Sequence, residues 1–255
     1  YENYTPKRLK IEGALPHPGK LVESAAMSAV DPPAPTYTPN LPREVITEGM
    51  LSIAQLEAVV YAGQAHSQIL PGTEGKQERR GFFIGDGTGV GKGREIGGII
   101  LDNLRQGRTK AVWVSAKQGL HEDAQRDFQG VGGDPKIIFK HADVKAPNTI
   151  TASSGILFTT YDTLRSGQKK QATGKQDLTG LTTAELAVMG GAKNTMDGYA
   201  EWVKHKKPTD IGPGALAVYQ KIDSLGLGGQ SRIEQLVNWL GADFDGVIAF
   251  DEAHK

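Results

Sequence analysis

The chain is predicted to adopt an α/β fold in which helices cover both faces of a parallel sheet. Short apolar segments alternate along the sequence with segments of helical periodicity, a pattern typical of parallel sheets. Two of the apolar segments run directly into polar motifs, one rich in glycine and one ending in adjacent carboxylates. Strands are predicted at residues 82–85, 111–115, 137–140, 156–160 and 247–251, and helices at 51–70, 92–106, 117–129 and 231–240.

Two stretches interrupt this alternation. Residues 1–45 hold eight of the 13 prolines and little periodicity, which predicts an extended arm that lies on the core or leads to an upstream domain. Residues 46–255 form the predicted α/β domain, with an insertion at about 167–230 that is rich in Gly, Lys and Thr. Lysine clusters in the insertion are compatible with nucleic-acid contact, but a solvated insertion is favoured. Within it, Trp202 and Tyr219 are expected to pack locally.

The glycine-rich motif follows the first predicted strand and opens the helix at 92–106. Glycine adopts positive φ at little cost, so repeated glycines let backbone N–H groups surround phosphate oxygens at a helix N-terminus. Lys92 adds a positive charge for the β- and γ-phosphates. The predicted phosphate-binding residues are Gly87, Thr88, Gly89, Val90, Gly91, Lys92, Gly93 and Arg94.

This loop departs from the usual G-x-x-x-x-G-K-[ST] pattern at two positions. Asp86 stands where the first glycine is expected, and Gly93 replaces the Ser or Thr whose hydroxyl normally contacts Mg²⁺. A glycine-rich turn without a ligand and a dinucleotide-binding fingerprint are the alternatives. The fingerprint lacks its third glycine at the required offset, and a lysine in this place favours a triphosphate.

The second motif, Asp251 and Glu252, ends the apolar run 247–250. Successive side chains at a strand end point in opposite directions, so the two carboxylates can have different roles. Asp251 is predicted to bind Mg²⁺, and Glu252 to orient and deprotonate the attacking water. Lys92, Asp251 and Glu252 are therefore the predicted catalytic residues. His254 is predicted to couple the site to other parts of the protein, with a solvated histidine as the alternative.

Composition limits the function classes that remain. Lysine plus arginine equal aspartate plus glutamate at 29 each, so any nucleic-acid surface must be local rather than a product of net charge. The sequence contains no cysteine, which excludes a disulfide framework and thiolate chemistry. No apolar run approaches the ~20 residues that cross a bilayer, so no membrane partner is expected.

The phosphate loop and the carboxylate motif together resemble the first RecA-like domain of superfamily 2 helicases and translocases. The loop at 85–94 is similar to that of the strawberry notch family, in which a glycine at the position of Gly93 is usual. The resemblance covers about residues 45–165 and 230–255. Residues 16–27 are similar to the lead-in of phage and plasmid members, which often carry a fused methyltransferase domain upstream. Other similar stretches are 51–58, 61–66, 113–115, 231–236 and 243–246.

This resemblance implies an ATP-binding domain that uses Mg²⁺ and acts on nucleic acid, DNA rather than RNA, in the cytoplasm of a bacterial or phage-infected cell. Gln55 would contact adenine, and Tyr37 would stack on the base or else anchor the proline-rich arm. Ser115, Lys117 and residues 159–161 would contact the nucleic-acid backbone or else serve as strand ends and caps.

The family's motors close two RecA-like domains on ATP, and the second domain supplies an arginine that accelerates hydrolysis. We therefore expect this chain to be part of a longer protein, with the second RecA-like domain outside it and weak hydrolysis by the chain alone.

Two other classes remain open from the sequence. A non-catalytic nucleotide-binding scaffold or switch is favoured by Gly93 and the neutral net charge, whereas Lys92, Asp251 and Glu252 favour the motor. A metabolic P-loop kinase is disfavoured, because the chain shows no lid-like arginine cluster and an Asp-Glu-Ala-His sequence is foreign to that class.

Overall fold

The computed structural model describes residues 1–72, 77–87, 89–144, 149–166, 180–204, 211–224 and 231–253. Its strands are β1 (Glu2–Asn3), β2 (Val22–Glu23), β3 (Ile69–Pro71), β4 (Gln77–Arg79), β5 (Lys110–Ser115), β6 (Ile138–Lys140), β7 (Gly155–Thr160) and β8 (Val247–Phe250). Its α-helices are α1 (Ala25–Ser28), α2 (Arg43–Thr47), α3 (Ile53–His66), α4 (Lys92–Arg105), α5 (His121–Gly130), α6 (Tyr161–Arg165), α7 (Thr183–Val188), α8 (Ala192–Lys204), α9 (Pro213–Ser224) and α10 (Arg232–Leu240).

The chain divides into two compact units. Unit 1 comprises residues 1–140, 154–159 and 244–255, and unit 2 comprises residues 141–153 and 160–243. The proline-rich residues 1–45 therefore belong to the same compact unit as the phosphate loop. None of the helices in the described part of the chain is long and apolar enough to span a membrane.

Unit 1 is built on a sheet with the strand order β6–β7–β5–β8, and the β6–β7 and β5–β8 pairs are parallel. Nearly every residue of β5 and β7 is buried, which means that both faces of these strands are covered. Helices α3, α4 and α5 pack against one another, and α4 also contacts β8. The predicted α/β fold and four of its five sheet strands are confirmed.

The predicted strand at 82–85 is wrong in this structure, because residues 81–87 adopt no regular secondary structure. Phe83 is 83% exposed, and Phe82 is also exposed. An apolar run becomes a strand only when its backbone pairs with another strand, and residues 82–85 are not among the strands of the described sheet. The local sequence pattern does not show whether such a pairing partner is present.

Helix α3 is shorter than the predicted 51–70 because both of its ends are set by local chemistry. Ser52 caps its N-terminus in a capping box with Gln55. The helix ends at His66, and residues 69–71 instead pair with 77–79 in an antiparallel hairpin that the periodicity did not predict. Helix α5 is likewise split, since residues 118–120 form a 3₁₀ turn before it.

The N-terminal arm lies on α3 and α4. The Asp102 carboxylate on α4 accepts hydrogen bonds from the Tyr37 hydroxyl and the Asn40 backbone N–H, each at 2.6 Å. The Tyr37 ring covers Gly63 so closely that a Cβ there would lie 2.1 Å from a ring carbon. Of the two interpretations of Tyr37, the structure therefore supports the anchor of the proline-rich arm.

Unit 2 contains a small helical cluster formed by α7, α8 and α9. Trp202 and Tyr219 pack as predicted, with ring centroids 5.6 Å apart. Gly198 allows this packing, because a Cβ there would lie 2.0 Å from the Tyr219 hydroxyl. The buried apolar members of the cluster are Leu181, Met196, Tyr199, Trp202, Val218, Tyr219 and Ile222.

A capping box at the start of α10 and a hydrogen bond from the same helix stabilise the remaining part of unit 2. Ser231 and Glu234 form a capping box at the start of α10, the sequence pattern Ser-x-x-Glu that marks a helix N-terminus. The Trp239 indole N–H on α10 donates to the carbonyl of Ala152 at 2.7 Å. The lysine clusters of the insertion are at 169, 170 and 175 and at 204, 206 and 207. All but Lys204, the last residue of α8, lie outside the described residues, so nucleic-acid contact there stays a prediction.

Candidate functional site

The glycine-rich loop has the left-handed backbone that its composition predicts. Gly89 has φ of 95° and Gly91 has φ of 90°, both unfavourable for residues with a Cβ. Gly91 is also the N-cap of α4 and has no side chain to cap the helix. The first turn of α4 therefore offers backbone N–H donors to an anion. Thr88 lies outside the described residues.

Lys92, the first residue of α4, points back over the loop. Its Nζ donates to the carbonyl oxygens of Asp86 at 3.0 Å and Gly87 at 3.1 Å. Carbonyl oxygens are weak partners for an ammonium group compared with phosphate oxygens. The ammonium group is therefore held inside the loop, where bound phosphates would compete for it.

Gln55 is hydrogen-bonded to the backbone of the glycine-rich loop. Its Nε2 donates to the carbonyl of Val90 at 2.9 Å, and its Oε1 accepts from the backbone N–H of Ser52 at 3.0 Å. A Cβ on Gly91 would lie 2.6 Å from Nε2, so this contact requires glycine. Because both ends of the Gln55 amide are engaged, adenine contact would require it to exchange partners, and that role stays a prediction.

Arg94 makes its contacts within the fold. Its Nη1 donates to the carbonyl of Met50 at 3.1 Å. Its guanidinium also lies against Gly130 of α5, where a Cβ would be 3.1 Å from Nε. These contacts hold α4 against its neighbours, and the predicted phosphate contact by Arg94 is untested.

The carboxylate motif follows β8. The backbone N–H of Asp251 donates to the carbonyl of Val114 at 2.8 Å, which continues the pairing of β8 with β5. The Ser115 hydroxyl donates to Asp251 Oδ2 at 3.3 Å. Ser115, which the family resemblance suggested would contact the nucleic-acid backbone, is thus buried beside the carboxylate motif. His254 lies outside the described residues.

Asp251 and Glu252 differ in environment. Burial raises the pKa of Asp251, the Ser115 hydrogen bond opposes that rise, and the nearby Lys92 charge lowers the pKa as well. Glu252 has φ of 58°, the one non-glycine residue with positive φ in the described chain. Left-handed backbone is unfavourable for glutamate, and such outliers concentrate at functional sites.

Sequence reasoning missed Glu95, in the first turn of α4. Neither of its carboxylate oxygens accepts a hydrogen bond from a donor in the described part of the chain, the side chain is fully buried, and the Asp86 carboxyl lies within hydrogen-bond reach when one of the two is protonated. Burial and the neighbouring Asp86 together raise the pKa of Glu95 to about 8, and the Lys92 charge opposes that rise. A buried carboxyl at the phosphate loop could not be recognised from helical periodicity, because an acidic residue in a first turn is usually exposed.

Asp127 on α5 was also missed, and it explains Gly93. A Cβ placed on Gly93 would lie 2.0 Å from Asp127 Oδ2 and 2.9 Å from its Cγ. The carboxylate therefore takes the space of the side chain that a usual phosphate loop carries here. Asp127 is far from the loop in sequence, and nothing in the pattern of α5 marks it.

Comparisons with known proteins show the family of this chain. The family model described as P-loop containing NTP hydrolase pore-1 matches residues 16–184 and 175–255. Protein strawberry notch homolog 1 of Gallus gallus is 34% identical over 260 residues, which cover 100% of this chain and 16% of that protein. Protein strawberry notch of Drosophila melanogaster is also 34% identical and is covered to 12%. Protein FORGETTER 1 of Arabidopsis thaliana is 33% identical and is covered to 15%.

The chain thus spans about a sixth or less of these relatives' length. These relatives are eukaryotic and do not support a bacterial or phage origin. No solved structure matches the chain. The family model covers nearly all of the sequence, and the loop, Lys92 and the carboxylate motif lie within the matched residues. The chain therefore belongs to the P-loop containing NTP hydrolase pore-1 family and, within it, to the strawberry notch proteins.

Proposed function

We propose that this chain is the ATP-binding first motor domain of a superfamily 2 helicase-like protein that acts on nucleic acid. The observation that carries the proposal is the convergence of the two motifs, since α4, which begins at Lys92, contacts β8, which leads into Asp251. Parallel α/β sheets bind their ligands outside the carboxyl ends of the strands, and β5 and β8 both end at this place.

The residues present fit a nucleotide with its divalent cation. Oxygen donors are the ligands that Mg²⁺ prefers, and burial raises the pKa of two carboxyls here, the half-buried Asp251 and the buried Glu95. A cation favours the ionised form of such groups. In this proposal Asp251 holds Mg²⁺, and the metal when bound neutralises charge on the phosphates.

The chain's own residues then perform three tasks. The N–H groups at the start of α4 bind phosphate oxygens, and Lys92 exchanges the carbonyls of Asp86 and Gly87 for phosphate. Glu252 orients a water molecule and accepts its proton on a carboxylate oxygen. A second RecA-like domain, outside this chain, supplies the arginine that makes hydrolysis fast, worth about 10³–10⁵ in rate.

The substrate and setting are parts of the same proposal. We take DNA as the nucleic acid, the cytoplasm as the compartment and a fused methyltransferase as a candidate neighbour, all from the resemblance described above. A non-catalytic nucleotide switch is the second candidate, because Gly93 removes the usual Mg²⁺-contacting hydroxyl.

Binding of a fluorescent ATP analogue with Mg²⁺ tests the proposal. Lys92→Ala should weaken binding about tenfold to a hundredfold, because hydrogen bonds to charged groups contribute about 1.5–3 kcal/mol. Lys136→Ala, which removes an exposed lysine elsewhere in unit 1, is the matched control. Glu252→Gln should bind normally, and in the longer protein it should abolish hydrolysis. Unchanged hydrolysis in that variant would overturn the role of Glu252, and a longer protein that binds but does not hydrolyse ATP would favour the non-catalytic switch. No binding by the unaltered chain would refute a nucleotide site.

A further inference from the structure

The Asp127 carboxylate occupies the space that a side chain at position 93 would need. Helices α4 and α5 pack together here, and Gly97, one turn along α4, also faces α5. At Gly97, however, the nearest atoms to a Cβ are a Val131 methyl at 3.3 Å and the Phe128 Cα at 3.4 Å. At Gly93 the nearest atom is a carboxylate oxygen at 2.0 Å. A charged group thus occupies the side-chain position of the second residue of α4.

This carboxylate oxygen is not engaged by the fold. Asp127 Oδ2 has no hydrogen-bond partner in the described part of the chain, and Oδ1 is 3.8 Å from Arg126 Nε. The Asp127 side chain is 28% exposed, so solvent satisfies it only in part. Burial raises the Asp127 pKa, Arg126 and Arg94 oppose that rise, and the charges of Asp123 and Asp251 add to it. Asp127 and Asp251 therefore lie near enough for their charges to repel.

We propose that Asp127 binds the divalent cation of the nucleotide, in place of the hydroxyl that a usual phosphate loop carries at the position of Gly93. The proposal rests on the function proposed above and adds a residue to that site. A Ser or Thr hydroxyl at this position contacts Mg²⁺. Asp127 presents an oxygen in the same space, reached from α5 instead of α4. Glycine at 93 is then required, because any side chain would displace the carboxylate.

A structural role is the competing explanation. A carboxylate beside a helix N-terminus is stabilised by the helix dipole, by about 0.3–1 kcal/mol, whether or not a metal binds. The two explanations differ in one measurable quantity, which we call the magnesium gain: the Kd for the fluorescent ATP analogue in EDTA divided by its Kd in Mg²⁺. A role at the helix terminus leaves the magnesium gain unchanged, whereas loss of a metal ligand reduces it.

The test compares the magnesium gain of the unaltered chain with that of Asp127→Ala. We expect a decrease of about tenfold or more, in the range seen when metal sites are perturbed. The Kd in EDTA should stay similar or improve, because a negative charge has been removed near the phosphates. Asp123→Ala is the matched control, since it removes the same charge one turn earlier on α5. It should keep the full magnesium gain.

A double variant completes the test. Gly93→Ser alone should impair binding, because its side chain collides with Asp127. Gly93→Ser combined with Asp127→Ala has both the space and the usual hydroxyl, and it should regain most of the magnesium gain. Thermal unfolding of each variant checks that the variant is folded.

Three outcomes separate the two proposals. An unaltered chain that fails to bind the analogue refutes the proposed function. An Asp127→Ala variant that binds with an undiminished magnesium gain overturns the role of Asp127 and leaves the proposed function standing. A folded double variant without any recovery also overturns it, because the position would then not be equivalent to the usual hydroxyl.

Discussion

The two compact units differ in how well their buried ionisable groups are compensated by hydrogen bonds. In unit 1, Glu95 is fully buried without a hydrogen-bond donor in the described chain, and burial raises the pKa values of Asp127 and Asp251. In unit 2, the buried His141 is bonded through its Nε2 to Gln235 Oε1 at 3.1 Å. Poorly compensated ionisable groups concentrate at functional sites. The comparison therefore places the candidate chemistry in unit 1 and a conventional apolar cluster in unit 2.

The largest expected effect tests whether the aromatic cluster holds unit 2 together. Trp202→Ala should reduce the free energy of unfolding by about 3–5 kcal/mol, because a buried aromatic ring leaves a cavity. Urea unfolding followed by circular dichroism measures this loss. None of the residues proposed to contact nucleotide belongs to unit 2, so the Kd for the ATP analogue should change little. A large loss of affinity in the folded variant would contradict the assignment of nucleotide binding to unit 1 alone.

The next effect concerns His141. Burial and the Arg232 charge together lower the pKa of His141 to about 4, and the hydrogen bond to Gln235 opposes that change. As pH falls from 6.5 towards 4, the unfolded chain takes up a proton that the folded chain does not. The free energy of unfolding should therefore fall by about 2–3 kcal/mol across this range. His141→Gln should remove that dependence, and urea unfolding at pH 7 and pH 4.5 measures it.

Glu95 should show the opposite pH dependence. Because burial and the neighbouring Asp86 together raise its folded-state pKa to about 8, the folded chain retains a proton that the unfolded chain releases as pH rises above 4.5. The free energy of unfolding should fall by on the order of 2 kcal/mol between pH 5 and pH 8. In Glu95→Gln that decrease should disappear. Glu122→Gln, an exposed carboxyl on α5, should leave the decrease intact, and an equal slope in all three proteins would contradict the assignment to Glu95.

The smallest effect concerns the backbone at Glu252. Its positive φ is unfavourable for glutamate, so Glu252→Gly should raise the free energy of unfolding by about 0.5–1 kcal/mol. Glu252→Gln keeps the strain and loses only the carboxylate, so its stability should match that of the unaltered chain. Differential scanning calorimetry of both variants compares them. A destabilised Glu252→Gly variant would mean that the side chain contributes more to folding than its backbone costs.

Local chemistry determined much of this protein from the sequence. Four of the five predicted strands and the helices α4 and α10 follow from apolar periodicity, and the Ser231 cap follows from side chains that bond within one turn. The glycine-rich loop and its Lys92 were recognisable for the same reason, since their geometry depends on neighbours in the chain. Family membership also followed from these contiguous motifs.

Tertiary structure decided what depends on distant partners. Residues 82–85 have the composition of a strand but no paired backbone in the described sheet, and pairing is a non-local property. Three features of the site arise where separate elements of the chain meet. They are the hydrogen bond from Gln55 to the loop, the burial of Glu95 and the position of the Asp127 carboxylate beside Gly93. A side chain's environment is set by the elements packed around it, and a single sequence records the residue without that environment.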